Sequence, residues 1–237
     1  MGFFDFFNKT NSYSINDLTH YGLLKTSEER KKQSENYMRS MKFKVNPYLP
    51  TIEDSKIAKF QSARNIAVRT QILGALTETA FDFPRSECKE YLEKLQIWNQ
   101  VSPEEKTYLL HDEPSHSNIV SISWRIEACY TLYWSLGLIK ELPSPNQTIN
   151  LHDVQDRIIS SFESQEQFFN SVELRNREEI LDECDFIYRL HNSVRSSVFN
   201  NAKIPHDYNP SIIYERHYAL NWVTCYQDNW DEVTTDT

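Results

Sequence analysis

Glycine is scarce in this chain, at 4 of 237 residues, roughly 2% against a usual ~7%. That leaves few positions for positive-φ turns and argues against hairpin-rich β folds. It also removes the glycine-rich loops that cradle dinucleotides and nucleoside triphosphates. Neither G-x-G-x-x-G nor G-x-x-x-x-G-K-[ST] occurs. Long apolar runs are missing, and mean hydropathy is -0.62, which excludes a membrane-spanning helix. The four cysteines, Cys88, Cys129, Cys184 and Cys225, form no C-x-x-C pair, so a thiolate metal or redox motif is not expected. Each sits in an apolar helical pattern, where a free thiol behaves as a small hydrophobe. No signal-peptide pattern opens the sequence, and reduced thiols fit a cytoplasmic setting.

Charge is unbalanced toward acid, with 25 basic and 34 acidic residues and a net charge of -9. Nucleic-acid binding over the whole surface is therefore not expected, because phosphate affinity needs lysine and arginine. The segment from Lys25 to Lys44 runs the other way, with seven basic and three acidic residues. It reads as a contact for phosphate or an acidic partner, or as a plain solvated helix face.

Helical periodicity dominates what remains. Ser27 to about Met41 reads as a polar helix, and Asn46-Pro-Tyr-Leu-Pro50 as a linker. A long helical run is expected from Glu53 to about Ala80, then a helix opened by Pro84. Ser102-Pro-Glu-Glu105 carries a capping box with proline at the first helical position. Ile119 to about Lys140 is the most apolar segment and the expected central helix. Helices are also expected over Leu151–Phe162, Glu178 to about Phe199 and Ser211 to about Tyr226. The expected architecture is all-α, a single-domain bundle of about eight helices over 27–237, with a Phe-rich N-terminal arm over 1–26. Phe3, Phe4, Phe6 and Phe7 make that arm a docking peptide or a segment packed on its own domain.

Charges inside apolar helical runs are the most informative residues, because a buried charge is costly unless paired. Three clusters qualify: Trp124, Arg125 and Glu127; Asp182, Asp185, Arg189 and His191; and Glu215, Arg216, His217 and Asn221. These residues are expected to converge in space. They are candidates for an anion-binding or acid–base site, or for a structural salt-bridge network. No metal site is expected, since H-E-x-x-H is absent and His111, His116 and His152 lie near loops or helix starts. No cofactor is implied, and no nucleophile motif stands out. In the tail, Trp230 and Val233 are expected to dock as an apolar anchor. Asp231, Asp236 or the terminal carboxylate is expected to meet the basic set.

At these clusters the sequence resembles the bacterial family known as domain of unknown function 4272. The resemblance rests on Trp124-Arg-Ile-Glu-Ala128 with Trp134-Ser-Leu-Gly-Leu-Ile139. It rests further on Glu179-Ile-Leu-Asp182 with Tyr188-Arg-Leu-His191, and on Tyr214-Glu-Arg-His-Tyr-Ala-Leu-Asn-Trp222 with Trp230-Asp-Glu-Val-Thr-Thr-Asp-Thr237. It implies a mostly helical, soluble bacterial protein and no particular activity. The residues themselves leave two functions open. One is a non-enzymatic protein that binds a protein partner in a regulatory or toxin-neutralising role. The other is an enzyme or small-ligand binder that takes an anionic substrate through Arg125, Arg189 and Arg216.

Overall fold

A computed structural model describes residues 24–237, apart from the side chains of 151–153 and 157. The arm expected over 1–26, with its four phenylalanines, lies almost wholly outside the described residues. Among the described residues there are nine α-helices and no strand. They are α1 (Ser27–Ser40), α2 (Ala63–Glu78), α3 (Arg85–Lys94), α4 (Pro103–Leu110), α5 (His116–Ser135), α6 (Leu151–Ser160), α7 (Gln165–Ser171), α8 (Arg177–Phe199) and α9 (Pro210–Val223).

Capping chemistry sets most boundaries. Thr26 and Ser102 each close a capping box, with Glu29 and Glu105 respectively. The run expected from Glu53 is shorter than its apolar pattern suggested. Helix α2 begins only after Ser62, whose hydroxyl accepts from the Asn65 N–H at 3.1 Å. Before it, the Asp54 carbonyl closes a turn onto Ile57 and Ala58, and Ile57 is left exposed. Helix α5 also stops early. Gly137 takes a left-handed φ of 69°, and the N–H groups of Gly137 and Leu138 bond back to Trp134 and Tyr133. Such a reversal ends a helix, and glycine adopts it without strain. Helix α7 is an addition. Ser164 caps it, and Phe168 and Phe169 bury its inner face.

Helix α5 lies centrally, packed on α2 and α9. Helix α9 continues onto α8, and α8 onto α1. One hydrophobic cluster runs through these helices and takes in Trp134, Leu190, Val223 and the tail residues Trp230 and Val233. The charged clusters fall on α5, α8 and α9, and all their residues except Trp124 and Arg125 are buried.

Candidate functional site

Helices α5 and α9 exchange two salt bridges. Arg125 Nη1 lies 3.1 Å from Glu215 Oε2, and Arg216 Nη2 lies 3.4 Å from Glu127 Oε2. Each helix thus contributes one cation and one anion. Glu127, Glu215 and Arg216 are all buried. Burial pushes both carboxyls above their ordinary range, and the arginine beside each pulls it back. Each guanidinium has a further contact. Arg216 donates to the Pro143 carbonyl at 2.7 Å, and Arg125 stands 4.3 Å from the Tyr218 ring centroid.

The α8 cluster divides in two. Asp185 and Arg189 close a bidentate pair within the helix, at 2.7 and 2.9 Å, and Arg189 also donates to the Pro50 carbonyl. Asp182 instead turns toward α1, where Arg30 Nε donates to it at 3.1 Å and Lys25 Nζ donates to its other oxygen. Arg30 also donates to Glu178 at 2.6 Å and is fully buried. Arg125, Arg189 and Arg216 therefore each have a carboxylate partner, but Asp182 does not join the α5/α9 set. The Lys25–Lys44 segment is not simply a solvated face, since α8 supplies acidic partners for Lys25 and Arg30. Pairing within the network is incomplete. One nitrogen each of Arg30, Arg189 and Arg216 is buried without a hydrogen-bond partner, at a desolvation cost of about 1–3 kcal/mol apiece.

His191 and His217 face one another with Nδ1 to Nδ1 at 2.9 Å and their rings nearly perpendicular. Only one hydrogen can lie between two such nitrogens, so one Nδ1 donates and the other accepts. Burial and the nearby Arg195 guanidinium lower His191 to about 4. Burial, His191 and Arg195 lower His217 to about 3. Both rings are neutral at pH 7. Asn221 donates to the Thr234 carbonyl at 2.8 Å and holds the tail. Trp124, His191 and Glu215 line a cleft of about 620 Å³, together with Arg195, Tyr214 and the tail residue Asp236.

The tail docks as expected through its apolar residues, and Trp230 and Val233 are both buried. Its contact with the basic set is different from the one expected. The Trp230 ring lies 5.0 Å from the Arg69 guanidinium and 5.7 Å from that of Arg125. Asp231 instead accepts from the Glu104 N–H at the start of α4, where a carboxylate suits the helix dipole. Asp236 accepts from Thr234, and Arg195 reaches the Thr237 hydroxyl.

Several engaged charges were missed in the sequence. Arg69 makes a two-pronged contact with Glu105 at 3.0 and 2.8 Å. The same Glu105 closes the α4 capping box. Arg69 lies in an apolar run, so the criterion that singled out Arg125 would have found it. Arg175 donates to the Trp134 and Ile139 carbonyls and lies over the Trp134 ring at 4.6 Å, which caps the end of α5. Glu183 is buried with no hydrogen-bond or ion-pair partner among the described residues.

Among the described residues no group of three histidine, cysteine, aspartate or glutamate side chains could hold a metal ion. None of their helices is long and apolar enough to cross a membrane. Fold and charge layout together define an all-helical protein held by ion pairs across its central helices. The family model described as Domain of unknown function (DUF4272) matches residues 30–233, and the chain belongs to that family. No curated protein and no solved structure matches it.

Proposed function

We propose that this protein acts by binding a protein partner and not by catalysis on an anionic substrate. The observation behind this reading is the state of the three candidate arginines. Each is paired with a carboxylate of its own chain and with a further carbonyl or aromatic ring. An incoming phosphate or carboxylate would have to displace those groups and leave a buried carboxylate uncompensated. The neutral, mutually bonded histidines offer an anion no positive charge at pH 7.

Partner contact is assigned to the cleft beside the tail. Trp124 and Tyr214 offer aromatic area of the kind that anchors interfaces. The exposed Arg195 and Asp236 set the polar contacts, so the expected partner segment carries an acidic or carbonyl group opposite Arg195, a donor opposite Asp236 and one apolar side chain. Occupying the partner in this way is how a regulatory or neutralising protein works. Four free thiols support a reducing compartment, and we place the protein in a bacterial cytoplasm.

The test is quantitative co-purification from source-cell extract with the full chain and with an Arg195→Glu/Tyr214→Ser variant. Both positions are exposed. The reading expects one protein recovered in fixed ratio by the wild type and lost with a folded variant. Equal recovery by both, or turnover of an anionic compound that Arg216→Lys abolishes, would overturn it.

A further inference from the structure

A second cavity, of about 320 Å³, opens between α1, α8, α9 and the loop after α5. Glu183 of α8 lines it. Only 6% of Glu183 is exposed, and no described residue hydrogen-bonds or ion-pairs with its carboxyl. Its oxygens open onto the cavity and are not sealed from it, so a cation there would offset the cost of charging a largely buried carboxyl. Around it stand Tyr37, Phe186 and Tyr208, with Glu141 at the loop. Arg216 also lines the cavity, but Glu127 and the Pro143 carbonyl already engage its two terminal nitrogens. With Arg216 paired to Glu127, Glu141 and Glu183 are the remaining charges in the lining of the cavity. Aromatic faces and an unpaired carboxylate are the elements that recognise an organic cation.

We propose that this cavity binds a small organic cation, an alkylammonium group on a short apolar stem, with Glu183 as its counter-ion and Tyr37, Phe186 and Tyr208 as its walls. The volume lies at the lower end for ligand pockets and suits a ligand of a few heavy atoms. The site has the opposite charge preference to the anion site read from the arginines. It does not depend on the partner-binding reading and stands or falls separately from it.

The charged and titratable groups facing Glu183 are Arg216 from α9, Asp182 from its own helix, Arg175 ahead of α8, and the Tyr37 hydroxyl from α1. Burial holds Glu183 at about 7, with Arg216 and Arg175 drawing it down and Asp182 pushing it up. An alkylammonium stays charged well past pH 8, so a tighter complex at higher pH reports ionisation of the protein's own carboxyl.

The experiment is an NMR titration of the full chain with butylammonium, butan-1-ol and butyrate, following the ring signals of Tyr37, Phe186 and Tyr208. Saturable shifts are expected with butylammonium, with about tenfold weaker binding for the neutral alcohol and none for butyrate. Affinity for butylammonium should rise several-fold between about pH 6 and pH 8. Glu183→Gln should weaken butylammonium about tenfold and remove the pH dependence. Nα-acetyl-lysine amide separates the two sources of such a cation: binding as tight as butylammonium assigns the site to a protein lysine, and weaker binding to a free amine. Alcohol binding as tightly as ammonium, butyrate binding best, or no saturable shift at these rings would overturn the proposal. So would unchanged binding by a folded Glu183→Gln. If that variant does not fold, the ligand series and pH profile of the wild type decide.

Discussion

Arg125 on α5 reaches Glu215 on α9 at 3.1 Å, with the Tyr218 ring on one side of its guanidinium and Trp230 of the tail close by. One cation thus ties together the central helix, the last helix and the tail. Glu215 is buried, so its loss leaves Arg125 without its anion inside the protein. Glu215→Ala should cost about 3 kcal/mol, measured as a shift in urea midpoint at constant slope.

Trp230 closes the same contact from the other side. Its ring packs edge-on against Tyr218 and Trp222 and receives Arg69 as well as Arg125. Trp230→Ala removes a buried aromatic and should cost about 3–5 kcal/mol. Truncation after Asn229 should cost at least as much. An unchanged melting curve would show that the tail contributes nothing.

The histidine pair makes stability fall in acid. Both rings titrate near 6.5 when unfolded and at about 4 and 3 when folded. Below pH 6.5 the unfolded chain takes up protons that the folded chain excludes. The contribution is complete above that pH and is lost as the pH drops through the window toward 3. Urea midpoints should decline across this range. A His191→Asn/His217→Asn variant should decline less steeply, and equal slopes would remove the pair from the account.

Glu183 acts in the opposite direction. Its carboxyl is raised from 4.5 to about 7, so the folded form keeps its proton longer and loses stability as the pH rises through that interval. Glu183→Gln should be close to wild type near pH 5. It should be more stable at pH 8, by an amount on the order of 1–3 kcal/mol. Lower stability than wild type at pH 8 would mean that Glu183 is compensated within the fold.

The thiols supply a separate check on packing. Cys88, Cys129 and Cys184 are buried, and burial pushes Cys88 and Cys184 up to about 12. Only Cys225 is partly accessible. Native protein should react with one equivalent of a thiol reagent at most, and denatured protein with four. Fast reaction of two or more thiols in the native state would contradict the packing of α3, α5 and α8.

Helix identity was legible in the sequence because local signals carry it. The Ser102 capping box and the apolar period of α5 needed no knowledge of neighbours. The start of α2 was not legible, since Ile57 and Phe60 extend an apolar pattern that the Asp54 turn interrupts. Helix α7 was missed because seven residues hold too little periodicity. Embedded charge correctly marked residues that need partners, but spacing along one helix cannot choose among partners on others. Asp182 therefore went to Lys25 and Arg30, and Asp231 to an α4 N–H. Glu183 sits in the same embedded run as Asp182 and Asp185, but its lack of a partner among the described residues depends on what α1, α9 and the loop after α5 fail to provide.

The central claim is that the buried arginines hold helices together. A double-mutant cycle on Arg216 and Glu127 tests it most directly, with Arg216→Met, Glu127→Leu and their combination followed by urea unfolding. Each single change leaves a buried charge without its partner and should cost about 3–5 kcal/mol. The double variant removes both charges and should recover most of that loss, giving a coupling energy of about 2 kcal/mol or more. Single variants as stable as wild type with no coupling between them would contradict the claim.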